Sequence, residues 1–175
     1  MKFEDASLNL ASSSVLWAGS LSTDRQVEKG TYVAEDDARR IKDISIWLAT
    51  KIEEYSPNVV AVELPFSGAK SALAIKGMAF ASGLAVSTLA VLNMRRPVPY
   101  TVAYFLPNQT KVECTGNRNA EKEEMIVAAA NTWPDVVWPK IKLKSRSWEI
   151  KIDESAAIAD SLCAVLTYVR KQLQP

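Results

Sequence analysis

At 175 residues the chain is long enough for one domain with a substantial core, while two domains would be a squeeze. Its 48% hydrophobic and 23% charged residues suit a soluble globular protein, and a net charge of +1 gives no global electrostatic argument for nucleic acid. The complete lack of His excludes His-based triads, His general bases and the usual His-containing zinc sites, which leaves carboxylates as candidate metal ligands or acid–base groups.

In chain order, Met1-Lys2 leads into Phe3, Glu4 and Asp5 with no apolar core behind a basic start, so no signal peptide is expected. Ala6-Ser7-Leu8-Asn9 predicts a turn, Ser14 to Gly19 a returning strand, and Thr31-Tyr32-Val33 the start of another, together an N-terminal β-meander. Asp36 to Tyr55 carries Ile41, Ile44, Trp47, Leu48 and Ile52 close to helical period, with Glu35, Asp36 and Asp37 placed to complement the helix dipole. Asn58 to Phe66 is a β-branched apolar run bounded by Pro57 and Pro65, which predicts a central strand buried on both faces.

Ser71 to Asn93 predicts a long helix rich in small residues. Its uncharged part, Gly77 to Met94, is at the short limit for a membrane span and poor in Leu and Ile, so a buried helix against the sheet or a second copy is expected. Pro99 to Leu106 predicts a strand, Asn119 to Thr132 an amphipathic helix, and Asp153 to Leu173 a final helix with Ile158, Leu162, Val165, Leu166 and Val169 spaced for burial. The order fits a single α/β domain over residues 1–175, a mixed β-sheet flanked by helices. Cys114 and Cys163 lack metal-ligand spacing and are expected as free thiols in a reducing, cytosolic compartment.

Three acids occupy positions with a physical rationale. Glu63 closes the central strand, where it is either exposed or beside a cation, and such strand ends are where ligands gather in open α/β sheets. Asp5 ends the first strand. Asp160 lies in the small, apolar stretch Ala156 to Leu162 of the last helix, unfavourable for propensity and for burial alike. Taken singly, each also reads as an ordinary surface or capping acid. Taken together, acids from two strand ends and a helix suit two hard cations in phosphodiester hydrolysis.

The order of motifs resembles the RuvC-type Holliday-junction resolvases of the RNase H-like superfamily, as a divergent phage-type member. Asp5-Ala6-Ser7-Leu8-Asn9 resembles the opening aspartate turn, Val60 to Phe66 the glutamate strand, and Ser71 through Gly83 the long central helix. Asn119-Ala120-Glu121-Lys122 and Ala159-Asp160-Ser161-Leu162 resemble the two later segments. The resemblance implies an RNase H-like sheet with helices on both faces, and Asp5, Glu63 and Asp160 holding Mg²⁺ or Mn²⁺. It also implies phosphate contacts from Lys111 and Lys122, with Lys122 beside the catalytic acids, and base stacking by Phe66.

The chain departs from that family at Ala157, where a second acid commonly precedes the terminal Asp by one turn. Asp153 or Glu154 is the nearest substitute. Asp153 shares the helix face of Asp160 but lies about 10 Å along the axis, and it also reads as the helix N-cap. Lys140, Lys142, Lys144 and Arg146 alternate along Pro139 to Lys151, either as a basic strip following a DNA backbone or as an edge strand guarded against aggregation.

The expected protein is therefore a cytosolic, metal-dependent endonuclease of four-way or otherwise branched DNA, acting as a two-fold homodimer away from membranes, in the host cell if phage-encoded. Alternatives are a nuclease of the same fold for forks, flaps or RNA–DNA hybrids, and a catalytically silent nucleic-acid-binding module.

Overall fold

The structure is a computed structural model and describes residues 14–24, 32–64, 71–142, 148–150 and 152–173. Its elements run α1 (Val33–Tyr55), β1 (Val59–Glu63), α2 (Ala72–Met94), β2 (Thr101–Phe105), α3 (Pro107–Thr115), α4 (Lys122–Thr132), β3 (Lys140–Lys142), β4 (Trp148–Ile150) and α5 (Ile152–Leu173). The chain divides into two compact units, a central one over Leu21–Tyr104 and a terminal one built from Met1–Ser20 with Phe105–Pro175.

In the central unit, α1 begins earlier than its apolar periodicity suggests. The Glu35 carboxylate accepts the Tyr32 N–H at 3.2 Å, and Asp36, only 3% exposed, is paired with Arg39 at 2.8 Å. Glu35 thereby satisfies the backbone donor of the cap residue, and both acids suit the positive end of the helix. The strand expected from Thr31 therefore gives way: Tyr32 is an extended cap and Val33 is the first helical residue, while Thr31 lies outside the described residues. At the other end Ser56 adopts a left-handed conformation (φ 42°) and donates its N–H to the Ile52 carbonyl, which closes α1.

The βαβ unit β1–α2–β2 supplies a small parallel strand pair, anchored where the Thr101 N–H donates to the Asn58 carbonyl at 2.9 Å. Ile52, Leu89, Leu92 and Tyr100 form the core, with Val60, Val62 and Val102 packed on it. All five residues of β1 are half-buried, not buried on both faces as its unbroken apolar run suggests, because β2 is its one strand neighbour among the described residues.

Helix α2 is also less buried than expected. Leu84, Leu89 and Leu92 are covered, yet Ile75, Phe80, Val86, Val91 and Met94 are exposed, and 17% of Ile75–Met94 is buried. That stretch has a mean hydropathy of 1.6 and is long and apolar enough to cross a membrane by length and composition. The physical reason for its exposure is that α2 is apolar on every side, whereas α1 and the strand pair cover only part of its circumference.

The terminal unit is organised on α5, against which α3 and α4 both pack. Ile158, Ala159, Cys163, Leu166 and Val169 are buried; Val165, expected inside, is 45% exposed because it falls outside the stripe facing α3 and α4. Ser14 to Gly19 forms no strand. It is irregular, and Val15 and Ala18 pack against Trp133, Val136, Ile158 and Leu166.

Helix α3 has no counterpart in the apolar pattern and is set by its ends. Pro107 occupies the first turn, the Gln109 side chain accepts the Leu106 N–H at 2.9 Å, and Gly116 (φ 76°) closes the helix in a conformation that a Cβ would strain. Cys114 of α3 and Cys163 of α5 are joined by a disulfide with a Cα–Cα distance of 5.7 Å, which replaces the two free thiols expected. The first part of the basic run is strand: β3 pairs antiparallel with β4, Lys140 opposite Ile150 and Lys142 opposite Trp148.

Candidate active site

Glu63 is the last residue of β1 and half-buried, at the carboxyl end of the parallel pair in the central unit. Asp160 is the corresponding feature of the terminal unit. It sits half-buried on α5 among the fully or nearly fully buried Ala156, Ala159, Cys163 and Ala164. Burial pushes its carboxyl above the ordinary range, while the ammonium groups of Lys111 and then Lys122 pull it back. The two ammonium charges offset part of the burial cost of the Asp160 carboxylate.

The two lysines arrive by different routes. Lys111 is half-buried on α3, five residues before the Gly116 stop, and its charge acts on Asp160 because α3 packs on α5. Lys122 is the first residue of α4, whose start is fixed by the Glu121 N–H donating to the Glu124 carboxylate at 2.7 Å. Its ammonium donates to the Asp153 carboxylate at 2.7 Å. That bond raises the Lys122 pKa, with the charges of Asp160 and Glu123 as smaller contributions, and holds Asp153 below the usual carboxylate range. Both partners are exposed, the Asp153 side chain at 89%, so the pair is screened by solvent and orients Lys122 more than it stabilises the fold.

Asp160, Lys111, Lys122 and Asp153 thus come together at one end of the α3–α4–α5 cluster. Asp5 and Phe66 lie outside the described residues, as do Lys144 and Arg146. Lys140 is exposed at the start of β3, and Lys142 ends that strand. Ala157, one turn before Asp160, is exposed, and Glu154 is half-buried in the first turn.

Among the described residues no group of three or more acids or cysteines stands ready to hold a metal. The donors in the terminal unit fit one only in part: Asp160 offers carboxylate oxygens but already feels the charges of Lys111 and Lys122, and Asp153 is engaged by Lys122. A hard divalent cation there needs oxygen donors from elsewhere in the chain. Two features escaped the sequence. Helix α3 was signalled by Pro107 and Gly116 bracketing a polar stretch, whereas the disulfide, between cysteines 49 residues apart, has no signal in the local sequence.

The sequence model of the family described as Crossover junction endodeoxyribonuclease RuvC matches residues 23–134. The Crossover junction endodeoxyribonuclease RuvC of Christiangramia forsetii is 35% identical over 74 residues, which is 42% of this chain and 35% of that protein, so the aligned stretch spans about a third of the relative. Among solved structures, Thermus thermophilus RuvC superposes with a TM-score of 0.55 at 20% identity, covering 81% of this chain and 75% of that one. T. thermophilus RuvC in complex with Holliday junction substrate superposes with a TM-score of 0.52 at 23% identity and the same coverage. The α/β fold is accordingly that of RuvC, RNase H-like in class. With its family match running from the segment before α1 through α4, the chain belongs to the RuvC family.

Proposed function

We propose that the chain is a structure-selective endodeoxyribonuclease that cleaves four-way DNA junctions by metal-assisted phosphodiester hydrolysis, both units forming one nuclease domain in the cytosol. Beyond family membership, the observation that carries this is Asp160: a half-buried acid on α5 flanked by Lys111 and Lys122. The junction-bound relative makes branched DNA the first substrate to test.

Asp160, Glu63 and Asp5 are the residues that would hold Mg²⁺, or Mn²⁺ in its place. When bound, the metal supplies Lewis acidity at the scissile phosphate and eases deprotonation of the attacking water. The chain's own groups do the rest. Lys111 and Lys122 bind phosphate oxygens and neutralise charge beside the cut, and Asp153 keeps Lys122 extended toward that position. Phe66 stacks on an unpaired base, and Lys140, Lys142, Lys144 and Arg146 follow the backbone.

Two symmetric cuts require two copies about a two-fold axis. The uncovered apolar residues of α2, Phe80, Val86 and Val91 among them, are the proposed interface between them.

The decisive experiment is a cleavage panel of four-way junction, fork, flap and RNA–DNA hybrid with wild type, Asp5→Asn, Glu63→Gln and Asp160→Asn. Metal-dependent cutting of the junction, lost in all three variants while binding persists, is the expected outcome. Full activity in any variant removes that residue from the site. A second possibility, a silent junction-binding module, is favoured by Ala157 in place of an acid and by Asp153 engaged with Lys122. Binding without cleavage across a titration of Mg²⁺ and Mn²⁺ would establish it.

A further inference from the structure

We propose that Cys114 and Cys163 form a reversible thiol–disulfide site whose state sets how firmly α3 is held on α5, with small disulfides and dithiols as its reactants. The cysteines are the only two in the chain, 49 residues apart in sequence, and they meet across the α3–α5 contact with a Cα–Cα distance of 5.7 Å, within the span a disulfide needs. In a reducing cytosol such a pair is kept as thiols and closes only on oxidation, which makes it a responsive element and not a permanent staple.

The two sulfurs differ in access. Cys163 is fully buried, in a cluster with Met125, Ile126 and Ala159. Cys114 is half-buried and lines an open cleft together with Thr115, Glu124, Val127, Ala128 and Asn131. A reactant therefore meets Cys114 first. On oxidation, the Cys114 thiolate attacks a low-molecular-weight disulfide such as oxidised glutathione, which forms a mixed disulfide and releases one glutathione. The Cys163 thiolate then attacks the Cys114 Sγ, closes the bridge and releases the second glutathione. Two protein thiols are oxidised, one small disulfide is reduced, and the two thiol protons leave on the released glutathiones. A dithiol attacking Cys114 reverses the sequence. Both states keep the fold, because two thiols fill the same apolar space as small hydrophobes.

Position gives the bridge its consequence. Lys111 lies one helical turn before Cys114 on α3, and Asp160 one turn before Cys163 on α5. Closing the bridge fixes the two helices one turn from Lys111 and from Asp160, whose carboxyl feels the Lys111 charge. Opening it leaves α3, nine residues long, held by packing and by the Arg170 guanidinium donating to the Glu113 carbonyl. The effect on DNA rests on the nuclease function proposed above; the bridge and the ordering of α3 do not.

The test uses the full chain equilibrated in oxidised glutathione or in dithiothreitol. Expected are a Cys114–Cys163 linked peptide in the first and none in the second, and faster alkylation of Cys114 than of Cys163 once reduced. Amide exchange across 107–115 should be about tenfold slower in the oxidised form, melting about 10 °C higher, and four-way junction affinity about threefold tighter, a difference lost in Lys111→Ala. Cys114→Ala/Cys163→Ala should show no response to either reagent; the wild-type comparison stands without it if that variant does not fold. Failure of the linked peptide to form, faster alkylation of Cys163, or exchange across 107–115 indifferent to the bridge each overturns the proposal. If neither form binds a junction while exchange and melting still differ, the redox site stands and the nuclease assignment falls.

Discussion

Helices α2 and α5 are almost the same length, 23 and 22 residues, and both are rich in Ala, Leu and Val, yet they end up in opposite situations. On α5 the charged residues other than Asp160 stay at the ends, so Ile158, Ala159, Cys163, Leu166 and Val169 are all buried, with Ser155 and Thr167 as the buried polar members, where α3 and α4 pack on the helix. On α2 apolar residues surround the axis, and whichever side meets α1 and the strands, another is left bare. Apolar content makes a helix want cover; segregation decides whether a single chain can provide it. The one acid interrupting the apolar run of α5, Asp160, is where that helix gives up packing for a charge, and it is the residue proposed above to serve chemistry.

The largest effect should come from that interruption. Asp160→Asn is expected to lower junction cleavage by about a thousandfold or more, read by single-turnover kinetics, with binding nearly unchanged. Next, Leu166→Ala on the buried face of α5 should cost about 3 kcal/mol in a denaturant titration. Val86→Ala on the bare face of α2 should cost less than about 0.5 kcal/mol in the same assay. If the α2 substitution is as damaging to a dilute monomer as the α5 one, the contrast between the helices is wrong.

Third, Phe80→Asp with Val91→Asp should weaken self-association by at least about tenfold in sedimentation. A dimer untouched by both would move the interface off α2. The smallest effect concerns pH. Asp160 has its carboxyl raised by burial, so its cost to stability is absent while it is protonated and appears as pH rises through the raised value. Asp160→Asn should therefore melt above wild type at neutral pH and converge with it in acid.

The elements with strong periodicity or composition, α1, α2, α4 and α5, were legible before the structure, as was the run that became β1. Their burial was less so, since composition reports how apolar a segment is and not how many neighbours it will find; β1 and α2 both show this. Helix α3 escaped because its nine residues carry no apolar stripe and are defined by Pro107, Gln109 and Gly116 at the ends. Asp160 stood out as a misfit on its helix, whereas Lys111 and Lys122 look like any surface lysines until α3 and α4 are laid against α5. The pairing of Asp153 with Lys122 depends on two helix starts meeting, 31 residues apart in the chain, which no local pattern encodes.

Asn93, at the end of α2, accepts the Tyr100 N–H on its side-chain oxygen at 2.8 Å and donates its amide to the Tyr100 carbonyl at 3.3 Å. Its side chain imitates a neighbouring strand, engaging both backbone groups of the residue that leads into β2, while Pro97 and Pro99 stiffen the link between. Mechanically this is a splint: α2 cannot roll about its axis without dragging β2, and with it β1, whose last residue is Glu63. A torque applied to the bare face of α2 by the proposed second copy would thus be delivered, within the same unit, to the strand that ends in Glu63, a proposed metal ligand.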